Sequence, residues 1–467
     1  MIVAMKASRN ASALLAEWAS NVRTSDIPDK VRAVARTCVT DTIGVAMAGT
    51  ASPVSSLARQ VALENAGPGW ADVLGAGTKC SASAAAFCNG VAAHALDFDD
   101  NCYAGFVHGS AIIVPAALAV AQERDLTGAD LVTAIVVGAE CEYAVGAAAG
   151  VDLYEKGWWT TGLLGPIGAG VAVGRLLGLD AEAMQSCIGF AVAGAGGTKA
   201  CFGTDAKALM AGAASEAGVK WALLASRGAN GPVDAFSHVA GFANLFNNSI
   251  FNVEEVARLG TDWRLVEPGI DIKKYPVCLS SHAAINVVSG IVRREGIAAA
   301  DIQEIVCDVP PVVVANLIYV SPETVREAQF SMEFAVAAAA CFGELGLDQL
   351  KPEILHSEEV RALMARVRML SGPDWDLPRR IAAPEGASIL LTLKDGRRFS
   401  GFCSHAPGTA ANPLPAEEIE TKFLGCTQTV LGARPARDLL QALNLLDADV
   451  PVRDLLKPVF PGAQKCG

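Results

Sequence analysis

The chain has 467 residues, which is too long for one ordinary hydrophobic core and indicates two or three domains. Hydrophobic residues make up 52% and charged residues only 18%, which excludes a disordered chain. Asp and Glu (49) outnumber Lys and Arg (37), which gives a net charge of -12. No basic stripe is visible, so this balance argues against a nucleic-acid partner.

The spacing of the cysteines and the apolar stretches indicate the cellular compartment of the protein. The 13 cysteines form no CxxC pair, and scattered free thiols favour a reducing environment. The N-terminal segment lacks the pattern of a signal peptide, so we expect a cytoplasmic protein. The longest apolar stretches, 131–151 and 162–179, contain charged residues (Glu140, Glu142 and Arg175). We therefore expect buried helices and no membrane partner.

Helical spacing of apolar residues dominates the first half of the chain. The predicted helices, separated by short Gly-rich or acidic breaks, cover residues 8–23, 28–48, 81–96, 108–123, 129–149, 162–178, 181–195 and 206–226. Alternation typical of strands is nearly absent there. This series predicts an all-helical region.

The pattern changes near residue 265. Residues 302–309 alternate like a strand, and two β-prone runs, 387–393 and 397–402, flank the hairpin signal Asp-Gly. Helices are predicted at 325–341, 357–370, 415–430 and 436–446. The predicted fold class is therefore mainly α. A large all-helical domain would comprise residues 1–266 and 405–467, and a smaller α+β lid domain would comprise residues 267–404.

An acidic cluster with a nearby histidine is the first candidate for chemistry. Asp97, Asp99 and Asp100 follow an Ala-rich helix, and His108 follows after a short loop. Such a group could be solvated acids at a helix end, a metal site or a catalytic acid–base pair. We favour the acid–base pair and predict no metal, because a set of three ligands cannot be named. A metal-dependent lyase stays an alternative.

Three lysines in small or apolar surroundings are the second candidate. Lys207 lies in GTDAKALMAGAA, and Lys273 and Lys274 lie in GIDIKKYPVC. Each is either a surface residue whose stem packs on the protein or an anion clamp inside a cleft. His282, in CLSSHAAIN, is predicted to begin a helix and is either structural or functional. Phosphate-loop and dinucleotide fingerprints lack their required frames, so we predict no cofactor.

Several segments together resemble one family. NGVAAHALDFDD at 89–100 is very similar to the signature of the MmgE/PrpD family, and KKYPVC at 273–278 is a second specific motif. The resemblance continues through HGSAIIVPAALA, GWWTTGLLGPIGAG and YVSPETVREAQFSMEFA, and it spans roughly residues 8–445. The family includes 2-methylcitrate dehydratase, cis-aconitate decarboxylase and iminodisuccinate epimerase.

The resemblance implies a homodimer with its active site in a cleft between the two domains, and a small di- or tricarboxylate substrate. By position, the family's active-site residues fall on Asp97, His108, Lys207, Lys273 and Tyr319. The two lysines would bind substrate carboxylates. His108, oriented by Asp97, would move a proton at the carbon next to a carboxylate, and Tyr319 or a lysine would be a second donor.

Four further residues are expected to contact the substrate: Asn101, Trp159, Lys274 and His282. Trp159 stands where many dehydratase and decarboxylase members carry a histidine, which removes a candidate acid. The pattern therefore favours a cofactor-free epimerase, with iminodisuccinate as the expected substrate. A dehydratase-like or decarboxylase-like lyase is the alternative within the family. A helical protein that only binds small acids is the alternative outside it.

Overall fold

Helices dominate the structure, a computed structural model that describes residues 10–456 and the backbone of residues 464 and 465. The helices of the first part are α1 (Ala11–Asn21), α2 (Asp29–Gly49), α3 (Pro53–Glu64), α4 (Ala82–His94), α5 (Ser110–Arg124), α6 (Gly128–Ala149), α7 (Val151–Glu155), α8 (Thr160–Leu176), α9 (Ala181–Ala193), α10 (Asp205–Ala225), α11 (Phe242–Asn247) and α12 (Val253–Ala257). The helices predicted here are all present, with ends that differ by a few residues.

Side-chain caps explain where several of these helices begin. The Asn10 side chain accepts a hydrogen bond of 2.9 Å from the backbone N–H of Ser12 at the start of α1. Before α6, Thr127 and Asp130 cap each other's backbone N–H groups. Such caps satisfy donors that have no partner within the helix, and each typically contributes about 1 kcal/mol.

The second part of the chain combines a four-stranded sheet with short helices. Its elements are α13 (His282–Glu295), β3 (Ile302–Asp308), α14 (Pro311–Asn316), α15 (Val325–Ala328), α16 (Met332–Phe342), α17 (Pro352–Leu355), α18 (Glu358–Met364), β4 (Val367–Leu370), α19 (Leu377–Ala382), β5 (Ala387–Leu393) and β6 (Arg398–Cys403). The strand order is β4-β3-β5-β6, and only the β3–β4 pair is parallel. The predicted strands and hairpin are confirmed, and α13 begins at His282 as predicted.

Two predicted helices were wrong in part. The segment 357–370 is helical only to Met364, because Val367–Leu370 pairs with β3 in parallel and fills the edge of the sheet. The segment 325–341 is interrupted, because the Ser331 side chain caps a new helix by accepting the N–H of Phe334. The short strands β1 (Ala71–Val73) and β2 (Thr78–Cys80) were not predicted; β7 (Gln464–Lys465) pairs with β2.

Buried apolar side chains form two main cores. The larger core combines residues between Ala11 and Ile272 with residues of the chain end, where α20 (Ala416–Leu431), α21 (Ala433–Leu443) and α22 (Val452–Leu456) lie. The smaller core comprises residues between Tyr275 and Ala406 and includes the sheet. The predicted mainly α fold class is confirmed. The division at residues 267 and 404 stays a prediction, and residues 1–9, 457–463, 466 and 467 of the predicted helical domain lie outside the described part.

Helix α6 is the one described helix that is long and apolar enough to cross a membrane. Inside the structure, 94% of its most apolar window is buried. The Glu140 carboxylate in this helix accepts the backbone N–H groups of Arg264 and Leu265, each at 2.9 Å. A buried core helix passes the same length and composition test, so this helix is weak evidence for a membrane span.

The chain end also holds the loop that follows α4. Lys422 of α20 forms a buried ion pair of 2.7 Å with Asp41 of α2. The same ammonium donates a hydrogen bond of 2.9 Å to the backbone carbonyl of Phe98. The last helices therefore fix the position of the acidic loop as well as complete the core.

Close helix packing predicts the effect of one added methyl group. A Cβ atom at Gly49 of α2 would lie 1.9 Å from the carbonyl oxygen of Ala92 in α4, so the two helices would have to separate. We expect Gly49→Ala to destabilise the protein by about 1–3 kcal/mol or more. Urea unfolding followed by circular dichroism measures this change.

Gly425→Ala is the matched control. Gly425 also lies in a helix, but no neighbouring element comes within 4 Å of the position that its Cβ atom would take. This substitution should stabilise the helix by about 0.5–1 kcal/mol. Equal unfolding midpoints for the two variants would contradict the close α2–α4 contact.

Candidate active site

Two buried lysines share one carboxylate at the end of α4. Lys207, in the first turn of α10, donates to Asp97 Oδ1, and Lys273 donates to Asp97 Oδ2 at 2.8 Å. Lys273 also donates to the Asp97 backbone carbonyl at 2.7 Å, and its side chain is only 1% exposed. Asp97 itself has φ 49, a left-handed conformation that is unusual for a residue other than glycine.

The charges of this cluster hold its members in their ionised forms. Burial by itself would raise the pKa of Asp97, but Lys207 and Lys273 hold that pKa well below its usual range. Burial opposes the charge on Lys273, yet the attraction of Asp97 and Asp99 raises the pKa of this lysine. Asp99 is ionised as well, but it lies behind His108 and does not line the pocket. The two ammonium groups therefore border the pocket in a region of low dielectric constant, where they can attract an anionic ligand.

His108 lies beside the lysines as a neutral ring. Its Nδ1 atom lies 2.7 Å from the backbone carbonyl oxygen of Asp100 and 3.3 Å from Asp99 Oδ2. Because a carbonyl oxygen only accepts, Nδ1 carries the hydrogen, and Nε2 of the neutral ring has a free lone pair. Burial lowers the pKa of His108 to about 3, and the charges of Lys273 and Lys207 add to this effect.

A second histidine lies directly behind the first. His94 Nδ1 is 2.7 Å from Asp99 Oδ2, and both side chains are fully buried. The His94 ring packs edge-on against His108, with centroids 4.9 Å apart, and lies 5.5 Å from the Trp159 ring. Asp99 therefore lies between both imidazoles and couples them electrostatically.

His94, Asp99 and His108 are also the one group in the described part whose ligand atoms are close enough to share a metal ion, within 4.8 Å of one another. In the structure both Nδ1 atoms are engaged in hydrogen bonds instead, one with Asp99 and one with the Asp100 carbonyl. A metal bound there would have to displace both hydrogen bonds. The metal-free site stays a prediction.

These groups open into a pocket with about 500 Å³ of empty space, a volume that includes open solvent at its mouth. It is lined from both cores by Asp97, Asn101, Tyr103, Phe106, His108, Tyr154, Trp159, Phe202, Lys207, Lys273, Cys278, Leu279, Ser280, Asn316, Phe330 and Glu385. Lys207 is surrounded by aromatic rings, with its ammonium 5.2 Å from the Phe330 centroid and 5.4 Å from the Phe202 centroid. The volume suits a small acid rather than a polymer.

Six of the nine residues predicted for the site line this pocket: Asp97, Asn101, His108, Trp159, Lys207 and Lys273. One expected role differs. Asp97 was predicted to orient His108, but its oxygens are bound by the two lysines, and the Asp100 carbonyl holds His108. Sequence spacing could not distinguish these partners, because both lie within the same short acidic segment.

The other three predicted residues do not line the pocket. The Tyr319 hydroxyl donates to the Phe202 carbonyl at 3.1 Å, so it contacts the pocket wall from outside. Lys274 pairs at the surface with Glu418 at 2.7 Å. His282 is fully buried, with Nε2 3.2 Å from the Val277 carbonyl oxygen. Direct substrate contact by these three stays a prediction.

A second polar group in the pocket wall was not predicted from the sequence. The Tyr103 hydroxyl donates to Glu385 Oε2 at 2.5 Å, and the Ser280 hydroxyl donates to Glu385 Oε1 at 2.6 Å. Asn316 donates to Ser280 at 3.1 Å and accepts from the Tyr154 hydroxyl at 2.9 Å. Glu385 lies in a loop without periodicity, 282 positions from Tyr103, so no local signal indicated it.

A pocket with two lysine ammonium groups, a neutral imidazole and several hydroxyl groups has the side chains typical of an enzyme active site. Sequence comparisons give the family. The chain matches the MmgE/PrpD N-terminal domain over residues 13–252 and the MmgE/PrpD C-terminal domain over residues 275–448. The protein belongs to the MmgE/PrpD family, and the family predicted from its motifs is confirmed.

Curated relatives of the chain carry decarboxylase names. A cis-aconitate decarboxylase-like protein, oryM, of Aspergillus oryzae is 26% identical, and the match covers 96% of each chain. The human cis-aconitate decarboxylase is 26% identical over 91% of this chain and 89% of that protein. The enzyme of Aspergillus terreus is 30% identical over 62% of this chain and 61% of that protein. None of these names includes an epimerase.

The shared carboxylate predicts a large stability difference between two acidic-residue variants. Asp97→Asn removes the carboxylate that binds both buried ammonium groups, so we expect it to destabilise the protein by about 3–5 kcal/mol. The control Glu418→Gln breaks a lysine–carboxylate pair of similar length at the surface and should cost less than about 1 kcal/mol. Urea unfolding compares the two, and equal losses would contradict a lysine pair that depends on Asp97.

Proposed function

We propose that the protein is a lyase that removes carbon dioxide from a small unsaturated tricarboxylate of the cis-aconitate type. The observation that carries this proposal is the pair of buried lysines that converge on Asp97 and border the pocket with two ammonium groups. The names of the curated relatives support decarboxylation as the reaction. The proposal differs from the epimerase that the sequence pattern favoured.

The charge distribution fits the energetic problem of decarboxylation. When the bond to the leaving carboxyl group breaks, its electron pair moves toward a carbon next to a second carboxylate. Lys207 and Lys273 would bind that carboxylate and stabilise the developing negative charge, an effect that is strongest in a buried, pre-organised site. Asp97 would hold both ammonium groups in place, so that little reorganisation is needed during the reaction.

An epimerase of a small dicarboxylate such as iminodisuccinate is the second candidate. The neutral ring of His108 favours it, because epimerisation begins with the removal of a proton and Nε2 has a free lone pair. Decarboxylation begins instead with the cleavage of a carbon–carbon bond and needs a proton only afterwards. The two reactions therefore make opposite demands on His108.

A substrate panel in heavy water tests the reaction. We expect cis-aconitate to release carbon dioxide and to give a product with one new C–D bond, followed by proton NMR. The panel also contains citrate, 2-methylcitrate and iminodisuccinate stereoisomers. Deuterium exchange and stereochemical scrambling of iminodisuccinate without gas release would replace the lyase by the epimerase. Binding of these acids without any turnover would indicate a small-acid binding protein.

The lysine pair predicts a large loss of activity in single variants. Lys207→Ala and Lys273→Ala should each lower kcat/KM by about a thousandfold, because each removes a cation that stabilises the transition state. Lys220→Ala is the control on the same helix as Lys207, since Lys220 pairs with Glu216 at the surface. It should leave kcat/KM within about threefold of the parent. Retained activity in the pocket variants, with the fold intact, would reject the assignment.

A further inference from the structure

Decarboxylation leaves a carbanion that must receive a proton. The histidine, the two lysines and the tyrosine that the family resemblance names are poorly placed to donate it. His108 is neutral, and its single ring hydrogen points to the Asp100 carbonyl. Lys207 and Lys273 are bound to Asp97, and loss of a proton from either would remove the charge that holds the substrate. Tyr319 lies outside the pocket lining and donates to the Phe202 carbonyl.

Glu385 is the one carboxyl side chain besides Asp97 among the described residues that line this pocket. Tyr103, Tyr154 and Cys278 also line it, but burial raises the pKa of each, so each donates a proton less readily than a carboxyl group does. Glu385 lies in the loop between α19 and β5, and both of its oxygens are fixed by hydroxyl groups, Tyr103 at 2.5 Å and Ser280 at 2.6 Å. These contacts come from two different segments, so they hold the carboxyl group in one orientation. Such rigid support is typical of a group that must meet a reacting atom.

The surroundings of Glu385 favour its protonated form. Burial raises the pKa of Glu385, while the hydrogen bonds from Ser280 and Tyr103 and the charge of Lys273 partly oppose this effect. Four further titratable groups interact with it or lie around it: Tyr103, Tyr154, Asp271 and Cys278. The carboxyl group of Glu385 therefore keeps its proton at a higher pH than an exposed glutamate does.

We propose that Glu385 is a catalytic acid that delivers a proton to the product carbon. This inference rests on the proposed decarboxylation. The carbon–carbon bond to the leaving carboxylate breaks, carbon dioxide departs, and the electron pair forms a new C–H bond with the proton of Glu385. The glutamate becomes a carboxylate that accepts hydrogen bonds from Tyr103 and Ser280. A proton from water restores the acid after the product leaves, so that one proton is consumed for each carbon dioxide released.

Glu385→Gln tests the assignment through steady-state kinetics with cis-aconitate. The amide has nearly the same shape but cannot protonate carbon, so kcat should fall by about a hundredfold or more while KM changes by no more than about threefold. Glu333→Gln is the matched control, because Glu333 is a buried acid of the smaller core that does not line the pocket. Its kcat should stay close to that of the parent.

The dependence of kcat on pH distinguishes a proton-donating role of Glu385 from a structural one. The parent should lose kcat as pH rises through the pKa of Glu385, since the acid is then ionised. Tyr103→Phe removes a hydrogen bond that favours the ionised form, so it should move this loss to higher pH. This variant also tests the assignment if Glu385→Gln does not fold.

These measurements distinguish failure of the proposed decarboxylation from failure of the proposed role of Glu385. If the parent releases no carbon dioxide, the proposed function fails, and Glu385 has no carbanion to protonate. If the parent releases carbon dioxide and Glu385→Gln keeps more than about a third of kcat, the acid assignment alone is overturned. An unshifted profile in an active Tyr103→Phe variant, or an equal loss in Glu333→Gln, overturns it as well.

Discussion

The site depends on two lysines that share one aspartate. Burial of three charged groups is costly, and an apolar replacement of similar shape would often be at least as stable. The arrangement therefore makes sense as a means of holding positive charge rather than of stabilising the fold. Asp97, whose backbone is left-handed, fixes Lys207 from α10 and Lys273 from the segment between the two cores.

The sequence predicted the helical body well, because the apolar positions of long buried helices repeat with a clear period. The prediction from sequence failed where the hydrogen-bonding partners of a segment are distant along the chain. Strand β4 has four residues, and its pairing with β3 joins Val367 to Ile305. No local pattern in so short a segment distinguishes a strand from the end of a helix, since the deciding hydrogen bonds come from a residue far away in the sequence.

In the candidate site, too, local motifs identified residues but not their contacts. Asp97, His108, Lys207 and Lys273, which the family motifs named, line one pocket, and each lies in a recognisable segment. The partner of each group could not be predicted. Which oxygen faces which nitrogen depends on the path of the loop between α4 and α5, and residue types alone do not determine that path. Glu385 was missed because its role depends on Tyr103 and Ser280, which belong to other segments.

The reaction could not be settled from residue types for a related reason. Trp159 suggested an epimerase because the family resemblance led us to expect a histidine at that position, yet the curated relatives are named as decarboxylases. In the structure, Trp159 is almost fully buried and packs beside His94, so it shapes the wall of the pocket. Proton supply, rather than the count of histidines, distinguishes the candidate reactions, and proton supply depends on burial and hydrogen bonds.

The contact between Lys422 and the acidic loop has a consequence for biosynthesis. Because Lys422 binds both Asp41 and the Phe98 carbonyl, α2 and the loop after α4 lack this partner until α20 has emerged from the ribosome. The two ends of the contact with Phe98 lie 324 positions apart along the chain. A nascent chain would therefore expose an incomplete, strongly apolar helical surface during most of its synthesis.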